Sequence, residues 1–407
     1  MSDAPVQETA GPIRFPITRT CPFAIPETYE RLREEEPVSR VEMSDGRHAW
    51  MLTRHADVRA ALVDPRLGSD RSDPGYPSIS SGGKSAFAHF APFMISLDGP
   101  AHSAARSPVI SEFSMRRVNT LRPRIQEIVD EAIDKILELP RPVDLVQHLA
   151  VIVPRLVITE RIGASPDYLE RFYALAAGML QRSTTGEERD AIAREMRANM
   201  DRLVAEKEAD PGDDLLSREI ARQRAETGDV DRPGLASLAQ LLLLAGHEST
   251  SEMISLGIAT LLTHPEQLAR MVADPSRTPA VIEELLRYFS VVEIGMGRVA
   301  TEDVELGGVR IKAGEGVIAS NVAANHDPRA FPDPDVFDPD RDARQHVAQG
   351  YGPHQCLGRN LARVELQTVF DTLFRRIPDL RLAVGVEELP FKYDALVHGL
   401  RELPVTW

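Results

Sequence analysis

One nine-residue stretch joins a thiol to the backbone freedom needed to present it: Gly350-Tyr351-Gly352-Pro353-His354-Gln355-Cys356-Leu357-Gly358. Cys356 is one of only two cysteines in the chain, the other being Cys21. Three glycines surround it, and glycines at such spacing let backbone turn sharply and approach a bulky planar group. Beyond Gly358, the residues Leu361, Val364, Leu366, Val369, Phe370 and Leu373 recur with helical period. The thiol therefore stands just before a helix N-terminus, where the helix dipole and open N–H groups favour a thiolate. A thiolate in a glycine-walled loop is what haem iron requires of a proximal cysteine ligand. A lone cysteine is otherwise a small buried hydrophobe, and the glycines, His354 and the following helix weigh against that reading.

A second chemical signal interrupts an apolar helix predicted over 235–263. There Leu241, Leu242, Leu243 and Leu244 run into Ala245, Gly246, His247, Glu248, Ser249 and Thr250. A glycine in mid-helix costs about 1 kcal/mol. A carboxylate beside two hydroxyls in apolar surroundings is costly unless partnered. Ser249 and Thr250 can bond back to the carbonyls of Ala245 and Gly246 and bend the helix. The result would be a polar notch in an apolar wall; the alternative is that Glu248 lies on a solvated face.

Mainly helical elements must position these groups. Helices are predicted over 25–36, 55–64, 100–139 with a break near Pro123, 143–162, 166–182, 187–209, 213–227 and 279–289. Strands are few: a hairpin over 38–53 turning at Asp45-Gly46, then 299–311, 316–321 and 380–384. The fold class is mainly α with minor β. Residues 1–20 are unpatterned and read as a tail, with one domain over 21–407. Residues 66–100 form a long Gly- and Ser-rich loop carrying Phe87, Phe90, Phe93 and Met94, an apolar load able to cover something. Glu284 and Arg287 share a helix face and can pair.

The chain has 407 residues, 47 Lys and Arg against 62 Asp and Glu, and a net charge of −15, a poor match to nucleic acid. Two distant cysteines make no disulfide framework, no signal peptide is visible, and no run of apolar residues is long enough to span a membrane. A cytoplasmic monomer is the expectation.

Together, the cysteine loop and the helix interruption resemble those of the cytochrome P450 superfamily. Gly350, Gly352, His354, Cys356 and Gly358 match its haem-binding loop, and the segment at Ala245 to Thr250 matches its oxygen-binding groove. The likeness runs from about residue 20 to the C-terminus and is nearest to actinobacterial members that oxidise macrolides, terpenoids, steroids and xenobiotics. It implies a haem b (heme b) cofactor between the long helix and the cysteine-loop helix, with Cys356 on the iron. His102, Arg106, Arg298 and His354 are implied for the propionates, and Ala245, Gly246, Gln349, Gly350 and Gly358 for the haem surroundings. Glu248 and Ser249 are implied as the proton-delivering pair, and Glu284, Arg287 and Arg341 as a structural triad. The pocket for a bulky apolar substrate is expected from Phe87, Phe90, Phe93, Met94, Leu242, Leu243, His247, Val291, Val292, Ile294, Val397 and His398. Dioxygen is the co-substrate, with electrons from NAD(P)H through ferredoxin reductase and ferredoxin.

Two departures stand out: Gln349 replaces the family's Phe, and Ser249 replaces its usual Thr. They favour one rival, a haem-thiolate sensor without turnover. A peroxide-driven peroxygenase is the other, and the retained Glu248 argues against it.

Overall fold

The apolar run around Leu241–Leu244 lies in one helix, Arg232–Thr263, whose 32 residues extend about 48 Å. It packs against the helices Ile152–Ile162, Gly186–Ala209, Thr278–Phe289 and Arg359–Arg376. The last of these begins directly behind the cysteine loop. The computed structural model describes residues 12–19, 21, 23–77, 93–180, 183–293, 296–393, 395 and 397–407. Among them helix predominates, and the largest sheet has five short strands. Its spatial order is Val38–Glu42, His48–Leu52, Gly316–Ala319, Gly297–Ala300 and Leu67–Gly68. The first two form the expected antiparallel hairpin, with Val38 opposite Leu52 and Gly46 turning at φ 78°. A smaller sheet pairs the C-terminal strand Pro404–Thr406 with Val143–Asp144 and Arg381–Leu382.

Two helix predictions are corrected. The break expected near Pro123 falls instead at Ser111–Ser114, and Met115–Glu138 runs unbroken through the proline. Ser114 caps that helix by accepting a hydrogen bond from the Arg117 N–H. Its buried face is Val118, Ile125, Ile128, Val129, Ala132, Ile133 and Ile136. Burying each such side chain contributes about 1.5–3 kcal/mol, so the face outweighs the roughly 3 kcal/mol of an interior proline. The helix expected over 143–162 starts late: Val143–Asp144 is a strand, Val146–Ala150 a wide turn, and only Ile152–Ile162 is α-helical. Pairing with the C-terminal strand, which no local pattern announces, takes the first residues away.

Glu284 and Arg287 lie at the centre of the fold with no exposed side-chain surface, 2.7 and 2.8 Å apart in a two-pronged pair. Arg287 also donates to the carbonyls of Asn325 and Pro334, while Glu284 accepts from the Asp338 N–H and from Arg341. Arg341 in turn donates to the carbonyls of Asp333 and Val336. The group ties helix Thr278–Phe289 to the loop that leads into the cysteine segment. Truncating one partner leaves the other charge buried and alone, which costs about 3–5 kcal/mol. Glu284→Ala is therefore expected to lower unfolding free energy by about that amount, read from urea unfolding. Arg341→Ala, whose partners are mostly backbone carbonyls at the edge of the group, should lose less. Equal midpoints for Glu284→Ala and the parent would contradict the assignment.

Candidate active site

The cysteine loop is shaped by its glycines. Gly350 and Gly352 both take φ 73°, a region costly for side-chain-bearing residues. A Cβ on Gly352 would also stand 2.6 Å from Val63. The loop closes where the Cys356 N–H donates to the Gln349 carbonyl at 2.8 Å. Cys356 lies deep in the fold yet keeps accessible surface, because it faces a cavity of about 460 Å³. Burial pushes its thiol up; the Gly358 N–H and the charges of Arg106, Arg363 and Arg359 pull it back toward thiolate.

The opposite wall is the central helix. Leu241, Leu242, Leu244, Ala245, Gly246, Glu248, Ser249 and Thr250 all border the same cavity. Ser249 donates back to the Ala245 carbonyl at 3.4 Å, and the helix continues unbroken. Phe93, Met94, Val291, Val292 and Val397 complete much of the apolar lining. Leu243 and His247 do not border it. They sit one turn apart on another helix face, where the His247 Nδ1–H donates to the Leu243 carbonyl and the imidazole packs on Tyr173. His398 borders a second, smaller cavity instead. Phe87, Phe90 and Ile294 lie outside the described residues.

Arg106, Gln349, His354 and Gly358 border the main cavity beside Cys356. His354 is held at Nε2 by Ser69 at 3.2 Å and Asp98 at 3.1 Å, and its ring stacks on that of His102. His102 Nε2 is buried without a partner. Burial, with the charges of His354 and Arg106 behind it, brings its pKa down to about 4. Arg298 is buried and donates to the Gly297 carbonyl; among the described residues neither it nor Arg106 forms an ion pair. Arg106 borders the thiol-floored cavity, and His102, which does not, is stacked on the cavity residue His354 with its Nε2 unpartnered; Arg298 also lies outside the lining. A cation and an imidazole so placed fit a group with a soft metal and carboxylate arms. Haem meets that description, so the residues present fit it. Gln349 borders the cavity with Oε1 held by Arg363 at 2.6 Å, and Arg363 is itself paired with Glu283.

Sequence reasoning missed three residues. Glu365, on the cysteine-loop helix, borders the cavity with an unpartnered, buried Oε2, and burial raises it to about 8. Lys392 Nζ donates to Glu248 Oε1 at 2.8 Å and, more closely, to Glu252. Burial works to raise the Glu248 carboxyl, but the charge and hydrogen bond of Lys392 leave it below its ordinary value. Glu252 is almost wholly enclosed, and burial, reinforced by the charge of Glu248, lifts it from 4.5 to about 8. The i,i+4 spacing of Glu248 and Glu252 in an apolar helix was a legible signal. Lys392, far along the chain, gave none.

The sign of the Glu252 effect on stability follows. Its folded pKa lies above its unfolded one, so the stability it contributes is full below about 4.5 and is lost as pH rises through about 8. Glu252→Gln removes that loss. The urea midpoint of the parent should fall relative to the variant's between about pH 5 and pH 9. Midpoints that track in parallel would contradict the shift.

Comparisons with known proteins agree with this geometry. A family profile described as cytochrome P450 matches residues 181–378. The chain is 42% identical over 405 residues to a vitamin D3 dihydroxylase of Streptomyces griseolus, covering 99% of each chain. It is 52% identical to the crystal structure of cytochrome P450 MoxA from Nonomuraea recticatena, with a TM-score of 0.89 over 97% of this chain and 98% of that one. The mycinamicin VIII C21 methyl hydroxylase MycCI of Micromonospora griseorubida, solved with mycinamicin VIII bound, is 37% identical. Its TM-score is 0.91 over 97% of this chain and all of that one.

Proposed function

The chain belongs to the cytochrome P450 family and is a haem-dependent monooxygenase, and on that premise we propose that it hydroxylates a bulky, mostly apolar small molecule with electrons delivered by a ferredoxin. When bound, the haem supplies the activation of dioxygen and the oxidation of a C–H bond. Cys356 would hold the iron through Sγ, and Arg106, His102 and Arg298 would hold the carboxylate arms. His354 is committed to Asp98 and Ser69, so its part is to brace His102 by stacking.

The observation that carries the substrate class is the apolar wall of the cavity away from Cys356, made by Phe93, Met94, Leu242, Val291, Val292 and Val397; the haem would take the rest of the roughly 460 Å³. Walls of this kind exclude water and orient a large apolar molecule while offering few polar anchors. The relatives named for vitamin D3 and mycinamicin VIII support a steroid- or macrolide-like scaffold. On the central helix, Glu248 is the group placed to pass protons toward the cavity, a general-acid role. Ser249 presents its hydroxyl there, one turn beyond the Ala245 carbonyl that it bonds. Serine lacks the methyl that fixes a threonine rotamer, so this hydroxyl turns more easily between the carbonyl and the cavity.

A titration of the haem-loaded protein followed by absorption tests the proposal. Sterols, macrolactones and sesquiterpenes should perturb the haem spectrum at micromolar levels, and short-chain acids should not. Under carbon monoxide, reduced Cys356→Ser should lose the red-shifted thiolate band of the parent. A variant that keeps the band would remove Cys356 as the ligand.

For the electron partner, the arginines flanking the cysteine loop differ in how far they are committed. Arg363 is tied to Glu283 and Gln349, and Arg344 to Asp342, while Arg116 is exposed and Arg359 reaches Gln355. An acidic ferredoxin would be steered by such charges, with screening over about 10 Å in 0.1 M salt. Arg116→Glu with Arg359→Glu should slow ferredoxin-driven reduction severalfold at low salt and leave substrate titrations unchanged. Stopped-flow rates indifferent to both the substitutions and salt would put the docking face elsewhere.

A further inference from the structure

Lys392 lies between two cavities. On one side it holds Glu248, which borders the main cavity. On the other it borders a cavity of about 20 Å³ shared with Arg19, Glu293, Tyr393 and His398. That space holds about one water molecule, and its polar walls suit one. Glu293 Oε1 is buried there without a protein partner, and Tyr393 at its rim is exposed. Below Lys392 lies Glu252, whose Oε2 accepts from the Leu400 N–H at 3.1 Å. Gly399 makes the fit possible, since a Cβ there would collide with the Glu252 carboxyl. The carboxyls of Glu248 and Glu252 are within hydrogen-bond reach of each other.

Two carboxylates on one lysine, enclosed and touching, cannot both stay ionised easily; such pairs share a proton. We propose that Glu252 is a proton store for Glu248, refilled from solvent through Lys392 and the small polar cavity between Arg19, Glu293 and His398. The proposal rests on the reading that Glu248 delivers protons to the reaction. In the loaded state Lys392 is an ammonium, Glu248 a carboxylate and Glu252 a carboxylic acid, so the three charges cancel; one negative charge is left over when the store is empty. The Glu252 O–H bond breaks and an O–H bond forms on Glu248, directly or by Lys392 releasing one N–H proton and gaining another. Glu248 then gives that proton up toward the cavity and returns to a carboxylate. Glu252, now a carboxylate, is reprotonated from water in the small cavity. No oxidation state changes in these steps.

Glu248 and Lys392 act directly on Glu252. His247 stands beside Glu248 on the same helix, and His398 shares the small cavity with Lys392. Arg155 acts on Glu248 from helix Ile152–Ile162, and Arg19 and Glu293 stand behind Lys392. Burial brings His247 down to about 4, so it is neutral, while Glu293, lifted by burial to about 7, titrates next to the carboxyl pair. The raised value of Glu252, about 8, agrees with a store that is filled at neutral pH.

The experiment compares haem-loaded parent, Glu252→Gln, Glu252→Asp and Glu248→Gln. The infrared difference between parent and Glu252→Gln, without turnover, should show one buried protonated carboxyl of the parent that disappears as pH rises through about 8, beyond the bands of Glu365 and Glu293 that both proteins share. Gln keeps an acceptor for Leu400 and the shape of the side chain, and an unchanged carbon monoxide band would show the haem site intact. Under turnover, product per NADPH should fall with pH over the same range in the parent. In Glu252→Gln it should be lower by about tenfold and insensitive to pH, a smaller loss than the hundredfold or more expected for a general acid itself. Glu252→Asp should restore part of the pH dependence. The absence of any carboxyl band from the parent-minus-Glu252→Gln difference overturns the proposal, and so does parent-like coupling in that variant. If Glu248→Gln is impaired while Glu252→Gln is not, the store alone is wrong. If Glu248→Gln is also unimpaired, the delivery role of Glu248 falls with it.

Discussion

A thiolate in the middle of a protein is electrostatically expensive, and much of this structure works to keep one there. Burial pushes Cys356 toward the neutral thiol. Against that stand the Gly358 N–H, the start of helix Arg359–Arg376 and three arginines whose charges favour the anion. Each aid demands placement. The loop takes its shape from the left-handed backbone of Gly350 and Gly352 and closes where the Cys356 N–H donates to the Gln349 carbonyl. Arg363 is held by Glu283, and burial of Glu283 is outweighed by that pairing, which brings its pKa down to about 2. The enclosed Glu284–Arg287 pair and Arg341 fix the backbone that leads into the loop. A buried pair of this kind adds little net stability against an apolar replacement, so its value here is in setting one geometry.

The opposite wall has the mirror-image difficulty. An acid that must exchange protons needs a charge partner to stay ionised and a neighbour to share protons with. On the proposed role of Glu248, Lys392 would be the first and Glu252 the second. Both arrangements depend on contacts across long stretches of chain, and both leave one face of the reactive group open to the same cavity. The apolar side chains between them keep water out of that space, so the fields of the few charges present act at low dielectric.

What the sequence disclosed follows from the range of the interactions. The cysteine loop was legible because its determinants are local: glycines, a thiol and a helical period within about twenty residues. Glu248 stood out because a carboxylate in an apolar helix is anomalous on its own, but the local opening expected there does not occur: the helix runs unbroken from Arg232 to Thr263. The pocket lining was partly misassigned at Leu243 and His247, since membership there depends on the rotation of a helix about its axis, and an all-apolar run does not fix that phase. Pro123 misled because a proline rule is a local cost and the burial it opposes is tertiary. Lys392 was silent because a lone lysine near the C-terminus carries no pattern; only folding brings it to the central helix.

That last placement ties two properties together. The segment bearing Lys392 doubles back on itself, with Phe391 bridged to Leu400 and the Lys392 N–H donating to the Gly399 carbonyl. Between these points, Val397 is bridged to Val292 and borders the cavity, while the His398 N–H donates to the Val291 carbonyl. A single short turn therefore supplies both a wall of the substrate space and the cation that holds Glu248. Its backbone is also pinned from below by Glu252 through the Leu400 N–H. A larger ligand pressing on Val397 would move the same few residues that set the Lys392 distance. If Val397 lines the substrate space and Glu248 delivers protons, as proposed, a change at Val397 reaches the carboxyl pair through no more than one hydrogen-bonded turn.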